Sequence, residues 1–286
     1  MSILQTIWLA IVQGLTEFLP VSSSGHLILF SKFTNYPDQG LAVDIALHIG
    51  SLIAVLIYFH KDILNMIKDV FSSFCLPDFK KSYNRLAYLI VIASIPALVS
   101  GFLLRNFGME MLRSPKIIGW TILIYGILLY IADSKGKNIK NTEQIGLKEA
   151  ICIGLAQCLA LIPGTSRSGI TITMARFLNI NRSDAAKFSM LLSVPTILAA
   201  GALEAFRLYK TGGIAELISV TDAVFYSFIA SIVVIFPLAG FKEVLGQSMA
   251  YFYLTCGIAL ICLCAGFALS YCFDKFSKEE PAEQNV

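Results

Sequence analysis

Charged side chains are scarce in this sequence. They make up 14% of its 286 residues, whereas 56% are hydrophobic and the mean hydropathy is +0.73. A soluble domain is typically about a quarter charged. The net charge of +3 is too small to indicate a nucleic-acid partner. The composition therefore predicts an all-α polytopic protein surrounded by membrane lipids.

The sequence also lacks the patterns that build zinc sites and disulfide frameworks. None of its seven cysteines forms a CxxC pair, and its three histidines are not clustered around them. Most of the cysteines lie in apolar segments, where a free thiol packs as a small hydrophobe. A structural metal of the zinc type is therefore not expected.

Long apolar runs are abundant. A spanning helix needs about 20 mostly apolar residues, and we predict transmembrane helices over 41–59, 86–104, 116–132, 186–206, 222–241 and 249–272. The segments between them are expected to be polar loops, among them 61–85 and 207–222. Residues 274–286 form a polar tail.

Two further apolar segments are interrupted in the same way. Residues 11–26 read IVQGLTEFLPVSSSGH and residues 154–169 read GLAQCLALIPGTSRSG, so each contains a Gln, then a Pro, then a Ser/Thr/Gly loop that ends in Gly. Irregular backbone at membrane depth is tolerated only inside the protein or beside a wet cavity. We interpret 2–30 and 146–178 as re-entrant helical hairpins; a kinked span or two short spans in each place are the alternatives.

This order of elements repeats within a single membrane domain, 1–286. Residues 1–132 hold one hairpin and three spans, and residues 146–272 hold the same set. Because a hairpin returns to its starting side and three spans do not, the second copy must be inverted, which is typical of proteins with a site near the midplane. More Lys and Arg fall on the cytoplasmic side when both termini lie outside, so the first hairpin would open outward.

The first interruption carries polar groups that are costly in a bilayer and hence usually functional. Gln13 and Glu17 are four residues apart and share a helix face. His26 begins the helix after the turn, and Gly25 gives the turn room to bend. Hydroxyls that can cap that helix, leaving its N–H groups to face an anion, come from Ser22, Ser23 and Ser24.

The second interruption adds a guanidinium, which can hold a phosphate through paired hydrogen bonds. Its residues are Gly164, Thr165, Ser166, Arg167, Ser168 and Gly169. The two interruptions together favour a midplane site for an anion such as phosphate. Each residue alone has a plainer interpretation, since hydroxyls often only satisfy backbone groups. Asp44 and His48, also four apart, belong either to the mouth of the site or to the membrane interface.

The stretches QGLTEFLPVSSSGH and PGTSRSG resemble the two signature motifs of the undecaprenyl-diphosphatase family, also called the bacitracin-resistance protein family. The resemblance covers essentially the whole chain. It implies a multi-pass phosphatase of the bacterial cytoplasmic membrane. Its substrate would be a polyprenyl diphosphate lipid, cleaved to undecaprenyl phosphate for reuse in cell-wall synthesis.

The resemblance also implies roles for individual residues. Glu17 matches the family's invariant carboxylate, and Gln13 stands where many members have Glu. Ser22, Ser23 and His26 match the catalytic serines and histidine, and Arg167 matches the phosphate-binding arginine, with Ser166 beside it. A divalent cation, Mg²⁺ or Ca²⁺, is implied, with Glu17 and the amide oxygen of Gln13 as its expected ligands.

The expected chemistry is phosphoryl transfer, with Ser23 as the nucleophile and His26 deprotonating it or activating water. Direct activation of water by Glu17 or His26, without a phosphoenzyme, is an alternative. A transporter or flippase for a polyprenyl phosphate lipid is the competing function, because broken helices in inverted repeats are also the transporter plan. The oligomeric state is left open, with a dimer among the options.

Overall fold

The computed structural model describes residues 1–34, 36–78, 80–104 and 112–240, apart from the side chains of 216 and 237–240. This part of the chain is helical. Its helices are α1 (Ile3–Thr16), α2 (Ser23–Phe33), α3 (Gly40–Tyr58), α4 (His60–Ser72), α5 (Ser82–Leu104), α6 (Pro115–Lys135), α7 (Leu147–Gln157), α8 (Arg167–Phe177), α9 (Arg182–Ser219) and α10 (Thr221–Gly240).

Five stretches of the described chain are long and apolar enough to cross a membrane: Gly40–Tyr58, Ser82–Leu104, Pro115–Lys135, Arg182–Ala215 and Leu217–Phe236. They coincide with five of the predicted spans, and so many apolar helices indicate an integral membrane protein. The predicted span 249–272 and the tail 274–286 lie outside the described residues.

Two predicted loops are wrong. Much of 61–85 is helix α4. Its polar and apolar residues are interspersed, so they do not form an apolar run long enough to be detected as a span. Most of 207–222 continues α9, which extends to Ser219 and is interrupted at Gly213, where φ is 66° and ψ is −148°. Charged residues at these positions suggested loops, but charge alone does not end a helix that lies at a membrane boundary.

Each interrupted segment consists of two short helices joined by a turn. The first comprises α1 and α2, and the second comprises α7 and α8, with a 3₁₀ turn over Cys158–Leu161. The first packs against α3 and α10, and the second against α5, α6 and α9. The turns are thereby enclosed by longer helices.

Close helix packing depends on small residues, as is usual for helices in membranes. A Cβ added at Gly14 of α1 would lie 2.8 Å from the backbone carbon of Ala230 in α10. A Cβ added at Gly50 of α3 would collide with the backbone of α10, at Val224 and Phe228. Helix α10 can therefore approach both neighbours only because these positions carry no side chain.

We expect Gly50→Ala to destabilise the protein by about 1–3 kcal/mol, because two backbones must separate. Gly126→Ala in α6 is the matched control, since nothing lies within 4 Å of its added Cβ and Ala is the better helix former. The measurement is the unfolding temperature in detergent. Equal unfolding temperatures for the two variants would contradict this account of the α3–α10 contact.

Candidate active site

The carboxylate of Glu17 is the centre of the site. It lies just beyond the last residue of α1, is 6% exposed, and both of its oxygens are engaged. Oε1 accepts a hydrogen bond from Nη2 of Arg167 at 2.6 Å. Oε2 accepts from Oγ of Ser23 at 2.7 Å and from Nε2 of Gln13 at 3.0 Å. Groups that are 150 residues apart in sequence thus meet at one buried charge.

The two turns are in direct contact. Oγ of Ser168 donates to the carbonyl of Leu19 at 3.4 Å. A Cβ added at Gly25 would lie 3.3 Å from Cα of Gly164, and one at Gly169 would lie 3.4 Å from the carbonyl oxygen of Pro20. The glycines predicted from the sequence therefore serve to bring the turns together.

Gly164 has a further requirement, because its φ is +91°, a region that favours glycine. A Cβ there would also meet Thr121 and lie 2.8 Å from the carbonyl oxygen of Ile118. Oγ1 of Thr121 donates to the carbonyl of Pro163 at 2.9 Å. Helix α6 thus supports the second turn from behind, a contact that the sequence did not reveal.

The same helix cap is built in both turns. Oγ of Ser22 accepts from the N–H of Gly25 at 3.2 Å and lies 3.4 Å from Oγ of Ser24. Oγ of Ser166 accepts from the N–H of Gly169 at 3.1 Å and lies 3.2 Å from Oγ of Ser168. Ser22 adopts φ 67°, which is rare for a residue with a side chain.

The caps place one functional side chain at the first position of each helix. Ser23 is the first residue of α2, and Arg167 is the first residue of α8. Both helices begin beside Glu17, so the positive ends of two helix dipoles converge there together with a guanidinium. Such an arrangement attracts an anion.

Arg167 is held on both sides of its guanidinium. Besides Glu17, it donates from Nη1 to the carbonyl of Ser189 in α9 at 3.1 Å. Oγ of Ser189 pairs with Oγ1 of Thr171 at 2.7 Å, one turn along α8 from Arg167. Ser189 was not predicted, since a serine in an apolar span gives no signal in sequence.

The histidine at the serine hydroxyl is His48. Its Nε2 lies 3.3 Å from Oγ of Ser23 and 3.4 Å from Oε2 of Glu17. Its Nδ1 lies 2.7 Å from the carbonyl of Asp44. A carbonyl only accepts, so Nδ1 carries a proton, and whenever the ring is neutral the lone pair is on Nε2, the nitrogen that faces Ser23.

His26 lies differently. Its Nδ1 is 2.8 Å from the carbonyl of Ser22, one turn earlier. Within the described residues, the hydrogen-bond partners of Ser23 are Glu17 and His48. The hydrogen bond from His26 to Ser23 or Glu17 that the sequence led us to expect is therefore not formed there, and His48 lies beside Ser23 instead.

Asp44 is buried one turn of α3 before His48. It accepts from Nε2 of Gln39 at 2.7 Å and from Nη1 of Arg113 at 3.2 Å. Arg113 also reaches Asp38 at 2.9 Å. This arginine joins α3 and the segment before it to the segment before α6, and no pattern in the sequence singles it out.

The expected cation ligands do not form a preformed metal site. Gln13 presents Nε2 to Glu17, and its Oε1 is buried without a hydrogen-bond partner. Both oxygens of Glu17 are occupied by donors, one of them a guanidinium. No group of three or more His, Cys, Asp and Glu suited to a metal occurs in the described part of the chain. As arranged, these residues do not fit a resident cation.

Two further polar groups of the second hairpin are buried without partners in the described structure. They are the amide of Gln157, the counterpart of Gln13, and the hydroxyl of Thr165. Thr165 is only 2% exposed, so its predicted contact with a ligand stays a prediction.

The chain is similar to known proteins over most of its length. The family model for the bacitracin resistance protein BacA matches residues 6–262. The chain belongs to the BacA family. An undecaprenyl-diphosphatase of Saccharophagus degradans is 49% identical over 215 residues, which are 75% of this chain and 80% of that one. Undecaprenyl-diphosphatase 1 of Pseudoalteromonas translucida is 42% identical over 262 residues, 91% and 98% of the two chains.

The matching serine caps lead to a prediction about the free energy of unfolding of this BacA-family protein. Ser166→Ala should cost about 1 kcal/mol, whereas Ser166→Gly should cost only a few tenths. Ser114→Ala is the control, because Ser114 precedes α6 but makes no capping hydrogen bond through its side chain. Thermal unfolding in detergent distinguishes the variants, and a Ser166→Ala protein as stable as Ser114→Ala would show that this cap is dispensable.

Proposed function

We propose that the protein hydrolyses undecaprenyl diphosphate to undecaprenyl phosphate and inorganic phosphate, which returns the lipid carrier to cell-wall synthesis and gives bacitracin resistance. The observation that carries the proposal is the position of Ser23. Its hydroxyl lies between a carboxylate and an imidazole at the start of one helix, and Arg167 begins another beside it. Members of the same family named undecaprenyl-diphosphatase support the substrate.

Binding would begin at Arg167. The diphosphate replaces Glu17 as the partner of this guanidinium, while the first N–H groups of α2 and α8 and the hydroxyls of Ser24 and Ser168 donate hydrogen bonds to further phosphate oxygens. Positioning and charge stabilisation of this kind supply most of the catalysis in phosphoryl transfer. The prenyl chain extends between helices toward the lipid.

In the first chemical step, Oγ of Ser23 attacks the terminal phosphorus. Its proton passes to Glu17, which already accepts its hydrogen bond, or to Nε2 of His48. The bond from the terminal phosphorus to the bridging oxygen breaks, and undecaprenyl phosphate leaves. The product on the protein is a phosphoserine at residue 23.

In the second step, water hydrolyses the phosphoserine. His26 can accept a proton from this water, because the carbonyl of Ser22 keeps the proton on Nδ1 and leaves the lone pair on Nε2. The bond from phosphorus to Oγ breaks, inorganic phosphate leaves and Ser23 recovers its proton. Direct attack by water activated by Glu17 or His26 is the alternative.

A divalent cation, Mg²⁺ or Ca²⁺, also belongs to the proposal. Since Glu17 and Gln13 do not form a resident site as they stand, the cation would arrive with the diphosphate, whose oxygens are the ligands that Mg²⁺ commonly uses.

The proposal includes an arrangement of the protein in the membrane. The two hairpins are re-entrant, enter from opposite faces and belong to an inverted repeat, which the matching serine caps and the contact between the turns support. The protein would lie in the cytoplasmic membrane with both termini outside and the site open to the outer face.

The function is tested by measuring phosphate release from undecaprenyl diphosphate by purified protein in detergent, with Mg²⁺, with Ca²⁺ and with EDTA. We expect release that requires a divalent cation, and a loss of about a thousandfold or more in Arg167→Ala, by analogy with other arginines that stabilise phosphoryl transfer. Arg207→Ala is the matched control, because Arg207 pairs with Glu204 away from the site.

Detergent solution has a single compartment, so a transporter would release no phosphate there. Absence of release from folded wild-type protein under every condition would replace the phosphatase with a lipid carrier. Full release by Arg167→Ala would instead remove this arginine from the mechanism.

The nucleophile is tested with substrate carrying labelled terminal phosphate. Acid quenching during turnover should trap label on Ser23, most strongly in His26→Ala if hydrolysis of the phosphoserine is slowed. Ser23→Ala should lose both label and activity, whereas Ser24→Ala, whose hydroxyl contacts Ser22 rather than Glu17, should keep the label. Turnover by Ser23→Ala at the wild-type rate would establish water as the nucleophile.

A further inference from the structure

Helix α4 has no role in the site, yet its surface is sharply divided. A single residue, Phe59, separates it from the end of the candidate span α3. None of its residues is buried. With successive residues about 100° apart around a helix, the side chains of α4 fall into three lengthwise stripes.

The first stripe faces the protein. Ile63 and Met66 pack against the main hydrophobic core. On the same side, Asp62 receives a hydrogen bond from Nζ of Lys187 in α9 at 2.6 Å. This stripe fixes the helix against the bundle.

The second stripe is apolar and exposed. Leu64, Ile67 and Phe71 repeat at spacings of three and four residues and are 50%, 46% and 70% exposed. The third stripe is polar and consists of Lys61, Asn65, Lys68, Asp69 and Ser72. The exposed apolar stripe therefore lies between the protein and a polar surface, which is the arrangement of a helix in a membrane interface.

Helix α4 cannot rotate to bury its apolar stripe against the protein. Asn84 of α5 is fully buried and donates to the carbonyls of Asp69 at 3.2 Å and Leu76 at 3.3 Å. Lys81 donates from Nζ to Oγ of Ser72 at 2.8 Å. The end of α4 and the turn after it are thus tied to α5, and the apolar stripe stays outward.

Position and charge identify what covers the stripe. Because α3 has just crossed the hydrocarbon, α4 begins at the membrane boundary. Lys61 and Lys68 lie on the edge of the polar stripe next to Leu64, where flexible basic side chains reach lipid headgroups. The acidic Asp62 lies on the far side of the helix, toward the protein, where it pairs with Lys187.

We propose that α4 is an interfacial helix that rests on the phospholipids of its own membrane. Leu64, Ile67 and Phe71 enter the boundary between headgroups and acyl chains, and Lys61 and Lys68 bind anionic headgroups. This inference does not depend on the proposed hydrolysis.

The test places a single tryptophan on α4 of the full-length protein in lipid nanodiscs. The two native tryptophans, Trp8 and Trp120, are first replaced by Phe. Phe71→Trp then reports the apolar stripe and Asn65→Trp the polar stripe. We expect phospholipids brominated on their acyl chains to quench Phe71→Trp, and aqueous acrylamide to quench Asn65→Trp.

Each other outcome overturns the proposal. Quenching of Phe71→Trp by acrylamide alone would place the stripe in water. Protection from both quenchers would mean that protein covers it, either residues 241–286 or a second chain. Leu64→Trp repeats the measurement should Phe71→Trp fail to fold.

The charge component is tested with nanodiscs in which the brominated lipid is either phosphatidylglycerol or phosphatidylcholine at equal fraction. Phosphatidylglycerol should quench Phe71→Trp more strongly, and Lys61→Gln with Lys68→Gln should abolish that preference. An unchanged preference in the double variant would remove the two lysines from headgroup binding.

Discussion

The arrangement of this protein depends on the ion pair between Glu17 and Arg167. Glu17 is buried and Arg167 is largely covered, so either charge would be costly alone, because one uncompensated buried ion typically destabilises a protein by several kcal/mol. The two turns must therefore meet for either charge to be tolerated. Their contact in turn requires the glycines between them and the support of Thr121 behind the second turn.

The likeness of the two turns explains how such a site is assembled. Both copies use a serine to cap a helix through the N–H three residues later and place a second serine beside it. Between these serines the first copy has Ser23, and the second has Arg167. One turn geometry therefore delivers two different side chains to the same place, a hydroxyl from one half and a guanidinium from the other.

Much of this could be predicted from the sequence. Pro, Ser and Gly interrupting an apolar run are costly in lipid, so they located both turns, and apolar length located five helices long enough to span a membrane. Helix α4 was missed because amphipathic periodicity gives no long apolar run. For His48, the sequence predicted only a position at the mouth of the site or at the membrane interface. The residues around it in sequence do not show that α3 brings it to Ser23. Ser189 and Arg113 could not be predicted, because their roles arise from contacts between distant segments.

The ion pair also has a consequence for the order of events. In the proposed mechanism, the guanidinium of Arg167 offsets the charge of Glu17 and makes it a weaker acceptor for the proton of Ser23. A diphosphate that takes over the guanidinium leaves Glu17 with Ser23, Gln13 and His48 as its remaining partners. A buried carboxylate that has lost its counter-charge binds a proton more readily. In the proposed mechanism, substrate binding at one turn thus activates the hydroxyl at the other, and Ser23 stays unreactive until a diphosphate is present.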